Sequence, residues 1–594
     1  MPALLSHMRG TAFSIDGCLH QAEDVLPTKN AGVATRFVRS ASRRLAMAGY
    51  FPARLFLLVL FLGCFSETCL QGQVQLDRFF PPVVGVGQSI ELKVEGKFPE
   101  WPITLKTDSE NVSVTAAEKS GQVLVEVKEP ATPGVVWVRG WDKKSASGLV
   151  PLLIEPLVPV SEVEPNETLE TATQLAMPSV VTGRLSKAGE VDTFRVNAKQ
   201  GETLVVSVIA NQVLQSPMDA VLQLVDPDGH VLAQADDQRG LDPQLVYEVK
   251  RDQMLAIRLF AFPETPNSTI GFAGAATYVY ELRVTTGAFV DHVLPLNQRM
   301  MAAAGNASGL GRAQGWNLPD GSAAENGTAN RLGGSSIFLA NALGWQYQGA
   351  HVPRGQEFFE TAELAVMETT PCSYSGRISA AGEIDRVQLA VNKGKKYRVA
   401  VYARRSGMIL DSVLRVVDLK DESELGRNDD ATRGEYDARV DFTAKQDGRV
   451  EVQISDLVDG FGMRHAYTIV VQVVSPSVDV TVAEDHFAVK SGESLEIPIT
   501  ITRRDGYAAK LQIKAAGLPE GVTSEAVVSE AKGDSSKAVK LKLTAADGIA
   551  HQVPMRIQVI EMGAEDATPS DPFHAKYELA KVLQINEFWL TVSP

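Results

Sequence analysis

The sequence predicts an all-β chain built as tandem antiparallel β-sandwiches, and three observations carry that prediction. Short runs alternate apolar and polar residues with period two, as in Ser89-Ile90-Glu91-Leu92-Lys93-Val94 and Ala538-Val539-Lys540-Leu541-Lys542-Leu543-Thr544. Gly and Pro punctuate the gaps between these runs, and from Val74 to about Pro159 no segment offers a convincing amphipathic helix. A block from Gly183 to Asp237 recurs 193 residues later, from Gly376 to Asp430. At 594 residues the chain exceeds what one core holds, since single cores stop growing at roughly 250–300 residues, so about three to five domains are expected.

Composition narrows the function classes. Apolar residues at 44% and charged residues at 22% are ordinary globular values, which argues against wholesale disorder. A net charge of −15 without any basic block excludes a nucleic-acid partner, because a polyanion is held by concentrated Lys and Arg. Of four cysteines, Cys18, Cys64 and Cys69 lie in or before a leader, which leaves Cys372 as a lone thiol and no disulfide framework.

The N-terminus reads as an export signal. Residues 55–65 form an apolar run preceded by Arg43, Arg44 and Arg54 and followed by Ser66-Glu67-Thr68; the run is too short for a comfortable membrane span. Residues 1–72 are therefore assigned to a leader and signal peptide, with Met47 as a start that gives a leader of normal proportions. Leu62-Gly63-Cys64 resembles a lipobox, so a lipid anchor at Cys64 stands beside plain cleavage and an uncleaved anchor. The expected location is secreted, periplasmic or cell-surface, with no membrane span in the mature chain.

Taken in order, residues 73–159 are strand-like throughout. The segments Phe79-Phe80-Pro81-Pro82 and Pro133-Gly134-Val135-Val136-Trp137 resemble an immunoglobulin-like TIG module. Residues 160–286 hold strand candidates at 203–208, 220–225 and 278–284, with Asp226-Pro227-Asp228-Gly229 as a hairpin turn whose carboxylates need no metal to explain them. Residues 287–365 are Gly-rich and irregular, and Gly315-Trp316-Asn317-Leu318-Pro319 hints at a shortened TIG-like sandwich. Residues 366–474 carry the repeat: Gly376-Arg377-Ile378-Ser379-Ala380-Ala381-Gly382-Glu383-Ile384-Asp385 answers the segment from Gly183 to Asp192. In this second copy Met367-Glu368-Thr369-Thr370-Pro371-Cys372 is expected in place of the first copy's acidic lead-in. Residues 475–594 form an immunoglobulin-like sandwich completed by a tail with a strand at 588–592.

The second module carries a family resemblance. Glu162-Val163-Glu164-Pro165-Asn166-Glu167, Gly183-Arg184-Leu185, Gly189-Glu190-Val191-Asp192-Thr193-Phe194 and Asp236-Asp237 recur in an order that resembles the bacterial pre-peptidase C-terminal domain. The resemblance implies a jelly-roll-like β-sandwich of the kind appended to exported peptidases, related to collagen-binding domains of bacterial collagenases.

Calcium takes six to eight oxygen ligands in tolerant geometry, and Glu162, Glu164, Asn166, Glu167, Glu190 and Asp192 supply oxygens of the right kind and number. In the collagenase relatives the corresponding lead-in and turn bind calcium, so the resemblance implies a Ca2+ site that stiffens the junction between the first two modules. The same carboxylates also suit a solvated linker with a turn at Pro165-Asn166. The nine histidines are scattered, without His-Glu-x-x-His spacing or a Gly-x-Ser-x-Gly elbow, so no catalytic residue is nominated. Two functions stay open: a non-catalytic exported protein that binds an extracellular or cell-envelope polymer or protein, and a peptidase-associated protein or hydrolase with an unrecognised catalytic unit.

Overall fold

Alternating runs fold as strands that bury one face. In Ser494–Arg504, Ile497, Ile499 and Ile501 point into a core while Glu496, Pro498 and Thr500 face water. The computed structural model describes residues 73–594 apart from 266–270, 295, 297–311, 323–324, 327–330, 333–334, 340, 349–355, 360–363, 564–571 and 581–582. The leader, Met47 and the candidate lipidation site Cys64 lie outside the described residues. Among the described residues regular structure is strand, with 3-10 turns at Arg404–Ser406 and Asp534–Ser536, and no helix is long and apolar enough to cross a membrane.

The chain is all-β, in tandem sandwiches. The first pairs a sheet of Gln75–Phe80, Ser89–Lys97, Gln122–Val127 and Val112–Ala116 with a sheet of Val83–Gly85, Val150–Glu155, Gly134–Trp141 and Thr104–Thr107. Phe79, Leu92, Val123, Val138 and Leu152 fill the space between them.

The second sandwich comprises β1 (Val160–Ser161), β2 (Thr173–Gln174), β3 (Ser179–Arg184), β4 (Asp192–Ala198), β5 (Thr203–Ile209), β6 (Met218–Val225), β7 (Val231–Ala235), β8 (Gln244–Glu248), β9 (Gln253–Pro263) and β10 (Val279–Thr285). Its sheets run β2-β4-β9-β6-β7 and β8-β5-β10-β3-β1. The strands β11 (Gln356–Phe359), β12 (Val366–Met367), β13 (Cys372–Arg377), β14 (Asp385–Val391), β15 (Lys396–Tyr402), β16 (Ser412–Asp418), β17 (Glu424–Asn428), β18 (Arg439–Thr443), β19 (Gly448–Asp456) and β20 (Ala466–Val473) repeat the order, as β12-β14-β19-β16-β17 and β18-β15-β20-β13-β11. The periodic recurrence in sequence is thus a recurrence of topology. Most pairings are antiparallel; the edge pairs β1 with β3, β2 with β4, β11 with β13 and β12 with β14 are parallel, because the chain crosses between sheets before returning.

Strand registers correct one expectation. Met367 to Cys372 occupies the place of Gln174 to Ser179, since β12 answers β2 and β13 answers β3. The counterpart of the acidic lead-in is instead the connection from β11 to β12, residues 360–365, against residues 162–172 between β1 and β2. The first copy has a longer connection there, which gives its carboxylates room to fold over the sandwich edge. Residues 360–363 lie outside the described residues.

The segment expected as a shortened module shows, among the described residues, a ribbon of Phe289–Leu294 with Arg312–Trp316 and a small sheet of Glu325–Asn326, Ser335–Phe338 and Gln346–Gln348. Its Phe289, Leu343 and Trp345 join Trp137, Leu153, Val205 and Val279 in one apolar cluster. Leu579, Leu583 and Ile585, in and beside the pair Tyr577–Leu579 and Leu583–Ile585, enter the same cluster. The last sandwich otherwise sets Ser477–Thr481, Ser494–Arg504, Ala538–Ala545 and Val522–Ser524 against His486–Lys490, Phe588–Ser593, His551–Met562, Lys510–Ala516 and Val527–Ser529.

Side-chain contacts link the four sandwiches in a closed cycle. Arg184 joins the second to Glu95 of the first at 3.0 Å, Arg464 of the repeat reaches Gln244 at 2.9 Å, and Arg398 forks onto Asp505 of the last at 3.0 and 3.1 Å. Asp485 of the last sandwich then returns to Arg139 of the first at 2.8 Å, beside Trp589, whose ring lies tilted against Trp141 with centroids 4.7 Å apart.

Candidate metal centre

The connection from β1 to β2 leaves one sheet and enters the other, so it closes an edge of the second sandwich. Two backbone bonds pin it: Glu162 N–H donates to the Thr182 carbonyl at 3.0 Å and Thr193 N–H donates to the Asn166 carbonyl at 3.0 Å. Glu162 Oε1 accepts the Arg184 N–H at 2.7 Å. The Tyr280 hydroxyl, on β10, lies 2.7 Å from Glu162 Oε2 and 2.6 Å from Asp192 Oδ2. One phenolic hydrogen cannot satisfy two ionised carboxylates, so this pair needs a further proton or a cation. Burial first, and then the charge of Glu162, push Asp192 well above the usual carboxylate range.

The structure brings the five predicted carboxylates together in two overlapping triads. One oxygen each from Glu162, Glu164 and Asp192 lies within 4.8 Å of the others, and the same holds for Glu164, Glu167 and Glu190. Oxygens about 2.3–2.6 Å from one ion are at most about 5 Å apart, so either triad has the span of a single calcium shell. Asn166, the sixth predicted residue, is completely buried in the same loop, and neither Asn166 Oδ1 nor Nδ2 has a hydrogen-bond partner. Asp192 Oδ1 is buried and unpartnered too. Leaving such groups unmatched costs roughly 1–3 kcal/mol each, and bound cations are one means of matching them. The donor set therefore fits a hard, oxygen-seeking cation.

Three contributors are not among the predicted residues. Tyr280 bridges two carboxylates; Gly183 leaves space for them, since a Cβ there would collide with Glu162 Oε2 and Tyr280 Oη. Lys187 donates its N–H to Glu190 Oε2 at 2.9 Å and sets Nζ 3.2 Å from Glu167 Oε1. Tyr280 was legible in principle, because the last strand of each repeat carries a tyrosine, and Tyr467 bonds Asp385 Oδ2 at 2.6 Å as Tyr280 bonds Asp192. That bond is common to both copies and belongs to the shared scaffold.

Other features read as structure. Asp226 Oδ1 accepts the N–H groups of Asp228 and His230 at 3.0 and 2.9 Å, the turn chemistry its sequence implied. Cys372 is buried 3.5 Å from Met367 Sδ, and burial pushes its thiol up to about 12, which leaves it a small hydrophobe. His292 Nδ1 lies 2.7 Å from Asp291 Oδ2, yet both side chains are wholly buried and no substrate reaches them as placed.

A second buried charge cluster joins the modules. Arg283 of β10 meets Glu155 of the first sandwich at 2.5 Å and Glu281 at 2.6 Å, all fully buried, with Trp345 Nε1 donating to Glu155 Oε1 at 2.5 Å. Two carboxylates against one guanidinium leave a surplus negative charge unless one takes a proton. Burial pushes Glu281 up to about 8 despite the neighbouring Arg283. A folded-state value above the ordinary 4.5 means that its contribution is complete below about 4.5 and is lost as pH rises through about 8. Glu281→Gln cannot ionise, so its thermal midpoint should gain on wild type between pH 6 and pH 9; parallel pH profiles would refute this assignment.

No family model matches this chain, and a search of curated proteins found no match either. Among solved structures, the pre-peptidase C-terminal domain of collagenase from Bacillus anthracis is similar at 13% identity, covering 21% of this chain and 100% of that one with a TM-score of 0.16. Fibronectin(III)-like modules of Clostridium thermocellum CbhA align at 12% identity, over 39% of this chain and 92% of that one, with a TM-score of 0.12. The M60 catalytic domain of Clostridium perfringens ZmpB with its CBM51-1 and CBM51-2 domains aligns at 9% identity, over 68% of this chain and 46% of that one, with a TM-score of 0.14. At such scores the fold rests on the strand pairings described above.

Proposed function

We propose that this chain is an exported, non-catalytic scaffolding or binding protein whose second sandwich is braced by a calcium ion at the edge where the chain enters it. The observation that carries the reading is the acidic loop of residues 162–167 folded over buried, unpartnered Asn166 and Asp192 oxygens. Glu162, Glu164 and Asp192 would hold the ion, with Asn166 Oδ1 as a neutral ligand. When bound, the ion supplies charge neutralisation, and the loop residues then hold β1 and β2 at fixed spacing on the two sheets. The repeated sandwich topology and the pre-peptidase C-terminal resemblance of its motifs support two copies of one binding module, carried by an immunoglobulin-like first and last sandwich. The ligand class best suited to several linked sandwiches is a cell-envelope or extracellular polymer or protein, engaged by several modules at once.

Calorimetric titration of the full chain with calcium chloride tests the brace. Binding should weaken at least tenfold in Asp192→Asn and in Asn166→Ala, and the wild-type thermal midpoint should rise with added calcium. The absence of heat at millimolar calcium would reject the site. For the ligand, retention on immobilised cell-wall and matrix polymers should exceed that of a single-sandwich control protein; hydrolysis of those polymers, lost on changing one side chain, would overturn the non-catalytic reading.

A further inference from the structure

The two carboxylate triads are not equivalent, and the difference lies in Lys187. Its ammonium sits 3.2 Å from Glu167 Oε1 and 3.9 Å from Glu190 Oε1, within the outer triad of Glu164, Glu167 and Glu190. Glu190 is fixed there by the Lys187 N–H at 2.9 Å, so one residue both orients a ligand and neutralises it. The inner triad has a different set of partners. Glu162 and Asp192 meet the Arg184 backbone and the Tyr280 hydroxyl, and the Arg184 guanidinium is drawn away to Glu95 at 3.0 Å. A buried orphan atom, Asp192 Oδ1, also belongs to the inner set.

We propose that Lys187 is a built-in counter-cation that confines this centre to a single divalent ion at the inner triad and holds down its affinity. The inference rests on the cation reading above and adds a determinant of stoichiometry to it. Glu164 is common to both triads, so an ion at the inner site lies beside the triad that holds the ammonium, and the two like charges repel each other. With the water-like screening that an ammonium this exposed experiences, a unit charge about 6 Å from a divalent ion changes affinity by about tenfold. The Lys187 side chain is 67% exposed, so substituting it removes the cation of the outer triad without disturbing the core. In the repeat the corresponding position is Ala380, which has no charge to offer.

Calorimetric titration of the full chain with calcium chloride, wild type beside Lys187→Met and Lys187→Arg, decides the matter. Wild type should bind one ion; Lys187→Met should bind a second ion or bind the first about tenfold more tightly, and Lys187→Arg should restore the wild-type isotherm. Thermal melting of both variants in chelator serves as the folding control, and midpoints equal to wild type are expected because the side chain is exposed. Superimposable wild-type and Lys187→Met isotherms would overturn the role of Lys187 alone, as would two ions bound by wild type. A wild-type protein that binds no calcium would overturn the cation reading itself.

Discussion

Arg283→Met should cost this protein roughly 3–5 kcal/mol, the usual penalty for removing one partner of a buried ion pair. The guanidinium is fully buried, contacts Glu155 and Glu281 together, and lies 4.7 Å over the Trp345 ring. Its removal leaves two carboxylates in a site with no other cation on them, and each must take a proton or open the interface to water. Because Glu155 belongs to the first sandwich, Arg283 to the second and Trp345 to the segment that follows, loss of the cluster should loosen three parts at once. Differential scanning calorimetry should show an earlier and broader transition. Adding Glu155→Gln and Glu281→Gln to Arg283→Met should recover most of the loss, since neutral isosteres no longer require a counter-charge. A single variant that melts with wild type would show the cluster to be energetically idle.

Opening the cycle at its closing contact should have an effect of similar size. Asp485 Oδ2 accepts Arg139 Nη2 at 2.8 Å and the Leu149 N–H at 3.1 Å, while Oδ1 lies 2.8 Å from His486 Nδ1. Burial pushes this carboxyl up, but His486 and Arg139 together outweigh it and hold it below the usual aspartate value of 3.8. A lowered folded-state value means that the contribution is present above 3.8 and fades as pH falls through that lowered value, so closure persists at neutral pH and yields only in strong acid. Asp485→Ala strands the buried Arg139 guanidinium and should cost about 3–5 kcal/mol. Small-angle scattering at pH 7 should then report a larger radius of gyration, with Asp485→Asn between the two. An unchanged radius and melting midpoint would mean that the first and last sandwiches are held together by Trp141 packed against Trp589 and by Gln552 Nε2 bonded to the Asp142 carbonyl.

Much of the architecture was legible because β-structure writes its pattern locally. The runs at 89–94 and 538–544 alternate where one face meets a core, the apolar run at 203–208 is buried on both faces, and all three are strands. The Gly183 to Asp192 motif reappears at Gly376 to Asp385 because both copies need the same tight turn, with Gly189 and Gly382 at positive φ. The acidic loop was legible for a similar reason: its ligand candidates are close in sequence, so Pro165 and a short connection bring them near one another without long-range information.

What sequence left undecided lies between the sandwiches. Period two predicts a water-facing side for β10, and by that rule Glu281 and Arg283 belong outside; the strand is instead buried on both faces. Strand alternation reports the contrast between two faces, and it cannot report that the polar face of one sandwich will be covered by the edge of another. The partners of Arg283, Arg139 and Arg464 are distant in the chain, and each pairing costs loop-closure entropy that only the assembled cycle repays. The sequence alone determined strands, repeat and acidic loop, which depend on neighbours along the chain. Tertiary structure alone decided the cycle of contacts, its buried charges, and the placing of Tyr280, Gly183 and Lys187 around the loop, because those depend on which surfaces meet.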